Sequence, residues 1–290
     1  MEKAKKVLGI YESGSSYWVG DGFPVRNLFP SNPVSQQVNP FLLLDYAGPH
    51  EFPATNESRG VEEHPHRGFE TVSIAYQGKV CHRNSAGNSG TIGPGDVQWM
   101  TAASGVVHEE KLDPSFLKHG GVLEMIQLWV NLPRAFKMTA PRYQTLTAAD
   151  IPEVKLDDGG SLLRVIAGEW NGKSGPAKTF TPIQLYDVRL KSGAKLDLNI
   201  ATTMNSSLFL LKGKLTVNTV AFEGQAKLAV LSGDGESIAV EAGEDSTFLV
   251  LAGTPIDEPV AQHGLFVMNT RAELVQAVED YRSGKMGHLV

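Results

Sequence analysis

His64-Pro65-His66-Arg67-Gly68-Phe69-Glu70-Thr71-Val72-Ser73 runs into Ile74-Ala75-Tyr76 and stops at Gln77-Gly78. It combines two histidines at i and i+2, a β-branched and aromatic run, and a turn dipeptide. Such a run bounded by glycine reads as a strand. Side chains on a strand alternate with period two, so His64 and His66 share a face if their segment is extended. The same grammar recurs along the chain. Val122 to Val130, Leu162 to Ile166, Gln184 to Leu190, Leu208 to Leu211, Lys214 to Val217 and Thr247 to Leu251 read as strands. Gly93-Pro94-Gly95-Asp96, Lys212-Gly213 and Glu241-Ala242-Gly243-Glu244 read as turns between them. Many short strands with turns between them predict an all-β sandwich or barrel.

A second pair follows at His108-Glu109-Glu110. On a strand, His108 and Glu110 share a face and Glu109 points away, so Glu110 is the better source of a carboxylate. Three imidazoles and a carboxylate are a ligand set for a divalent ion: imidazole suits iron, nickel, copper or zinc, and an added carboxylate leans away from a thiolate-type structural zinc. Solvated loop histidines would give the same letters. Only eight histidines occur in the chain, however, and three of them fall in these two pairs.

The rest of the composition narrows the class. A chain of 290 residues is long enough for two domains with real cores. The net charge is −6, and no basic stripe offers to neutralise nucleic-acid phosphates. The N-terminal stretch carries Lys3, Lys5 and Lys6 without the apolar core of a signal peptide. No apolar run reaches the roughly 20 residues of a membrane helix. Cys81 is the sole cysteine, so no internal disulfide forms and a reducing cytoplasm is the expected compartment.

Pro141 to Gly160 reads as the joint between two strand-rich halves, giving expected domains of 1–145 and 146–290. The second half repeats the rhythm of the first but has no H-x-H, as if a duplicated barrel had lost its metal site. One helix is expected over 270–283, as part of the C-terminal domain. Thr270-Arg271-Ala272-Glu273 is a capping box, Leu274, Val275, Val278 and Tyr281 repeat at helical spacing, and Gly284 closes the helix. A short helical turn is expected from Thr147.

These residues resemble the pirin family of two-cupin proteins. The resemblance rests on His64-Pro-His-Arg-Gly-Phe-Glu-Thr-Val-Ser73, Pro94-Gly-Asp-Val-Gln-Trp-Met-Thr101 and Gly105-Val-Val-His-Glu-Glu110. It extends to Asn39-Pro-Phe-Leu-Leu-Leu-Asp45, Gln127-Leu-Trp-Val-Asn-Leu-Pro133, Pro141-Arg-Tyr-Gln144 and His263-Gly-Leu-Phe-Val-Met-Asn-Thr270, and so covers nearly the whole chain. Leu265 stands where the family often has proline. The resemblance implies two tandem cupin (jelly-roll-like) β-barrels with a C-terminal helix. It implies one divalent metal per chain, iron before nickel, copper, manganese or zinc, held by His64, His66, His108 and Glu110.

Two further residues are expected beside the ligands. The general cupin pattern would make Glu70 a ligand. In the pirin pattern it is a neighbour, able to orient a ligand imidazole. His82 is expected to face the same cavity. Phe69, Trp99 and Met100 can line that cavity, although such residues are more often plain core. Arg67 reads as one half of a surface ion pair, and Cys81 as a buried inert thiol.

Family members resemble quercetin 2,3-dioxygenases, which open a flavonol with O2 and release carbon monoxide. Others act as binding partners, including a nuclear coregulator whose iron state matters. The expected partners are therefore a flavonol-like aromatic and O2, or a protein; neither nucleic acid nor membrane is expected. In the enzyme reading Glu110 is also the base. The expected compartment is the cytoplasm, or the nucleus in a eukaryote.

Overall fold

The computed structural model describes residues 3–13, 15–29, 35–157 and 159–289. It is built almost wholly of strands, with three short α-helices among the described residues. Among the described residues no helix is long and apolar enough to cross a membrane.

The chain divides into two compact units, each a cupin barrel. The first comprises the described residues of 15–27, 42–148 and 256–290. Its seven-stranded sheet has the order Arg142–Leu146, Val97–Thr101, Phe69–Gln77, Gly121–Asn131, Phe41–Phe52, Phe23–Asn27, Tyr17–Val19. Its four-stranded sheet has the order Gly60–His66, Val106–Leu112, Val80–Asn84, Ser89–Ile92. Part of the core between these strands is Phe23, Phe52, Ala75, Val80, Ile92, Leu112 and Met125, all buried. The run Phe69–Gln77 is buried at seven consecutive positions. Strand alternation therefore disappears from its letters and survives only in what each side chain meets.

The second unit comprises the described residues of 1–14, 28–41 and 149–255. Its nine-stranded sheet runs from Val7–Glu12 through Val220–Leu231, Asn205–Val217, Ser246–Gly253, Ile183–Leu190 and Leu162–Ala167 to Glu153–Lys155. A buried apolar cluster of this unit includes Leu163, Val188, Leu208 and Phe248, and Tyr186 within it donates its hydroxyl to the Glu169 carbonyl at 2.6 Å.

Several expectations are corrected. The compact units are not the contiguous halves 1–145 and 146–290. Val7–Glu12 adds an edge strand to the second unit through Val220–Leu231. The terminal helix, Arg271–Arg282, packs in the first unit. There Leu274 and Ala277 bury with Val107, Phe266, Met268 and Met286. The helix buries an apolar face there, whereas Val7–Glu12 joins through backbone pairing with Leu8 and Ile10 exposed. Val275 and Tyr281 of the expected stripe are exposed, and the buried face runs through Leu274, Ala277, Val278 and Asp280 instead. Thr270 caps the helix by accepting from the Glu273 amide at 3.2 Å, while the Glu273 carboxylate takes the Asn269 amide at 3.0 Å. From Thr147 the chain makes a turn over residues 148–150.

The expected turn at Lys212-Gly213 is absent: Asn205–Val217 is one continuous strand. Its register with Ser246–Gly253 shifts between Leu210 and Lys212, which marks a bulge. Gly213 lies just past it at φ +118, and a Cβ would lie 2.3 Å from Ser246 Oγ. The glycine permits close strand approach at a bend.

Candidate metal centre

Three neighbouring strands of the four-stranded sheet carry the site. His64 and His66 lie on Gly60–His66, His108 and Glu110 on Val106–Leu112, and His82 on Val80–Asn84. His108 stands directly opposite His64 on one side and opposite Asn84 on the other. Glu110 stands opposite His82. A register shift between His108 and Glu110 against the first strand bends the ligand strand at the site. Alternation sends the intervening residues to the far face. There Arg83 Nε meets Glu109 Oε1 at 2.5 Å, and Lys111 pairs with Glu62.

The rings of His64, His66 and His108 converge: their centroids are 4.8, 4.3 and 4.6 Å apart in pairs. Each offers a nitrogen within 4.8 Å of the others. His82, His108 and Glu110 form a second such group, so His108 is common to both. The Glu110 carboxylate turns toward His82, whose Nδ1 is 3.3 Å from Oε1, and toward Gln127, whose Nε2 donates to Oε1 at 3.4 Å. The His82 contact is a close approach without hydrogen-bond geometry.

The electrostatics follow from burial. His66 and His108 are held well below the ordinary imidazole range, first by desolvation and then by neighbouring imidazoles. Desolvation alone takes His82 down to about 3. Desolvation also drives Glu110 up to about 7, against hydrogen bonds that lower it. Neutral imidazoles are the ligand form. His64 Nδ1 lies 2.7 Å from the Glu62 carbonyl, which only accepts. Nδ1 therefore carries the hydrogen and Nε2 presents its lone pair.

Both ring nitrogens of His82 and of His108, and Nδ1 of His66, are buried without a hydrogen-bond partner. Buried polar atoms are nearly always satisfied, and an ion is one thing that satisfies them. The donor set fits a divalent metal.

Glu70 differs from expectation. It is buried in the seven-stranded sheet, where it accepts from Thr101 Oγ1 at 2.7 Å and lies 3.7 Å from Arg142 Nη2. These partners are not imidazoles. A strand step of one residue from Phe69 sends Glu70 to the opposite face, and Phe69 itself packs on His66 with centroids 5.0 Å apart. Trp129 packs on the same ring at 5.6 Å. Arg67 is not on the surface: its guanidinium is buried against Asp280 at 2.9 Å. Cys81 is only half-buried and faces away from the site, with Sγ 3.2 Å from Asp113 Oδ2. Trp99 and Met100 are core.

Gln127 escaped the sequence reading. Its signal was an amide flanked by Met125, Ile126, Leu128 and Trp129 in the middle of a strand. A cavity of about 50 Å³ beside Glu110 is lined by Asp45, Gln127, Met125, Phe23, Val25 and others. A larger groove of about 630 Å³ lies over the outer face of the four-stranded sheet, along Cys81, Arg83, Thr91, Glu109 and Lys111. Its size does not make it the site, because the imidazoles point the other way.

Two cupin barrels, one enclosing a cluster of buried imidazoles and a carboxylate, define a bicupin. The Pirin family model matches residues 22–130, and that of the Pirin C-terminal cupin domain matches 185–287. The chain belongs to the pirin family. It is 52% identical over 281 residues to a Pseudomonas aeruginosa protein that carries the provisional name quercetin 2,3-dioxygenase, covering 97% of this chain and 98% of that one. It is 38% identical to human pirin, with 92% and 89% covered. The crystal structure of a quercetin 2,3-dioxygenase from Acinetobacter baumannii superposes with a TM-score of 0.96 at 49% identity, covering 99% of this chain and all of that one.

Proposed function

We propose that this pirin is a metal-dependent dioxygenase of the quercetin 2,3-dioxygenase type. Its ligands are His64, His66, His108 and Glu110, holding one divalent ion, iron before nickel, copper, manganese or zinc. The observation that carries this reading is the set of buried, neutral and unpartnered imidazole nitrogens facing a carboxylate on one sheet. Its likeness to two proteins named for that activity supports the choice of substrate class.

A metal held by these residues would supply Lewis-acid chemistry able to acidify a flavonol hydroxyl. The chain's own residues do the rest. Glu110 accepts the hydroxyl proton. Gln127 Nε2 fixes the direction of that carboxylate, with the His82 ring beside it. Phe69 and Trp129 pack edge-to-face against His66 and keep water off its far side. His64 is the most exposed of the three imidazoles, so substrate approaches from its side. The test is O2 uptake by iron-loaded protein across a panel of flavonols, against the same protein after chelation. Uptake that needs both metal and flavonol supports the reading.

One observation favours a second reading. The cavity beside Glu110 is about 50 Å³, whereas pockets for drug-sized ligands span roughly 300–1,000 Å³. A metal-bearing binding protein, regulating a partner through its redox state, needs no larger cavity. Metal-dependent capture of a protein partner without O2 uptake favours that role.

A further inference from the structure

The turn after His66 is only two residues long, and both are tied to distant parts of the first unit. Arg67 is buried. Its Nε donates to the Ser104 carbonyl at 2.7 Å and its Nη1 to Asp280 Oδ2 at 2.9 Å. Its backbone bridges Phe266 in parallel: the Arg67 amide donates to the Leu265 carbonyl, and the Val267 amide donates to the Arg67 carbonyl at 3.0 Å. Gly68 follows at φ +87, where a Cβ would lie 1.9 Å from the Val267 carbonyl oxygen. The Gly68 amide donates to the Ala103 carbonyl at 2.8 Å.

A second buried cation closes the arrangement. Lys137 Nζ donates to the Gly68 carbonyl at 2.7 Å, to Asn131 Oδ1 at 2.7 Å and to the Val267 carbonyl at 3.0 Å. Beyond the turn, Phe69 and Trp129 hold the His66 ring, and Val267 packs with both. On the helix, Asp280 Oδ1 accepts from Gln276 and Lys285, each at 2.8 Å. The residue after a ligand imidazole is thus clamped by a carboxylate more than two hundred positions away in sequence, and the wall behind that imidazole is completed by Val267.

We infer that the C-terminal segment from Ala261 to Arg282 is a positioning element of the metal centre. Asp280 acts through Arg67, and Lys137 through Gly68 and Val267, to hold the turn that places His66. Neither touches the ion. The inference rests on the metal-centre reading above. A ligand imidazole held in one orientation loses less freedom on binding, so loosening its seat lowers affinity while every ligand remains. The coupling is reciprocal: an ion that favours the seated His66 also favours the docked helix.

The test uses the full-length protein and Fe(II) or Ni(II) alone. Asp280→Asn and Lys137→Met are titrated against a competing chelator, beside wild type and His66→Ala. Both variants are expected to bind metal tenfold or more weakly at unchanged stoichiometry, and Asp280→Glu to recover part of the loss. In wild type, metal is expected to slow amide exchange across Arg271–Arg282 and at Val267. That measurement decides the matter if a variant fails to fold. Wild-type affinity in both variants, or no metal-dependent protection in the helix, overturns the inference. His66→Ala separates the two claims. If it binds metal as wild type does, the metal-centre reading fails; if it loses metal while Asp280→Asn does not, only this inference fails.

Discussion

At the level of single residues, the centre depends on which face each side chain occupies. That His64 and His66 share a face, and that His108 and Glu110 share one, could be read from spacing because period two puts i and i+2 together. Glu109 confirms the rule by pairing with Arg83 on the far face. Glu70 and Arg67 could not be placed that way, because their partners, Thr101 and Asp280, belong to other strands and to the last helix. Separating two roles gives the first prediction. His66→Ala is expected to lose metal and any flavonol-dependent O2 uptake together. Glu110→Gln keeps an oxygen donor but no base, so its turnover is expected to fall about 10²–10⁴-fold while metal content falls far less. Elemental analysis and an oxygen electrode on the same preparations check both. Equal losses of metal and rate in Glu110→Gln would remove the base from its assigned role.

At the level of elements, strand positions were legible because β-branched runs and Gly or Pro turns alternate. Element length was less so: Gly213 looked like a turn and lies just past a bulge inside a thirteen-residue strand. A turn and a bulge both call for glycine, and only the pairing partner distinguishes them. Gly213→Ala is expected to destabilise the protein by about 2 kcal/mol or more, through both its φ and the collision with Ser246. A thermal midpoint within one degree of wild type would contradict this.

The final helix allows a pH prediction. Lys285, then Arg67 and Gln276, hold the Asp280 carboxyl below the ordinary carboxylate value of 3.8. A depressed carboxyl contributes stability that is fully present above that ordinary value. The contribution is lost as pH falls through the lower folded value. Asp280→Asn leaves Arg67 buried without its counter-ion, at a cost of about 3 kcal/mol at neutral pH. The gap between the two proteins' thermal midpoints is expected to stay constant from pH 7 to about 5. It should narrow once pH drops below 4. A gap that widens in acid would reverse the sign.

At the level of the whole molecule, the two-barrel architecture could be read from the repeated rhythm of strands and turns. The composition of each compact unit could not. Val7–Glu12 and Arg271–Arg282 each join a unit remote from their own place in the chain, and no local pattern announces long-range pairing. Both metal-competent groups among the described residues lie on one sheet of the first unit and share His108. One ion per chain is therefore expected. Binding to the folded state alone stabilises by about 2.7 kcal/mol at a hundredfold excess over Kd, so the thermal midpoint should rise on loading and return on chelation. Since His108 belongs to both groups, the most direct test is metal content per chain in wild type and in His108→Ala, each purified, loaded with Fe(II) and freed of excess. The expected result is one ion in wild type and close to none in a folded His108→Ala. Equal metal in the two proteins, or two tightly held ions in wild type, would contradict a single centre built on these residues.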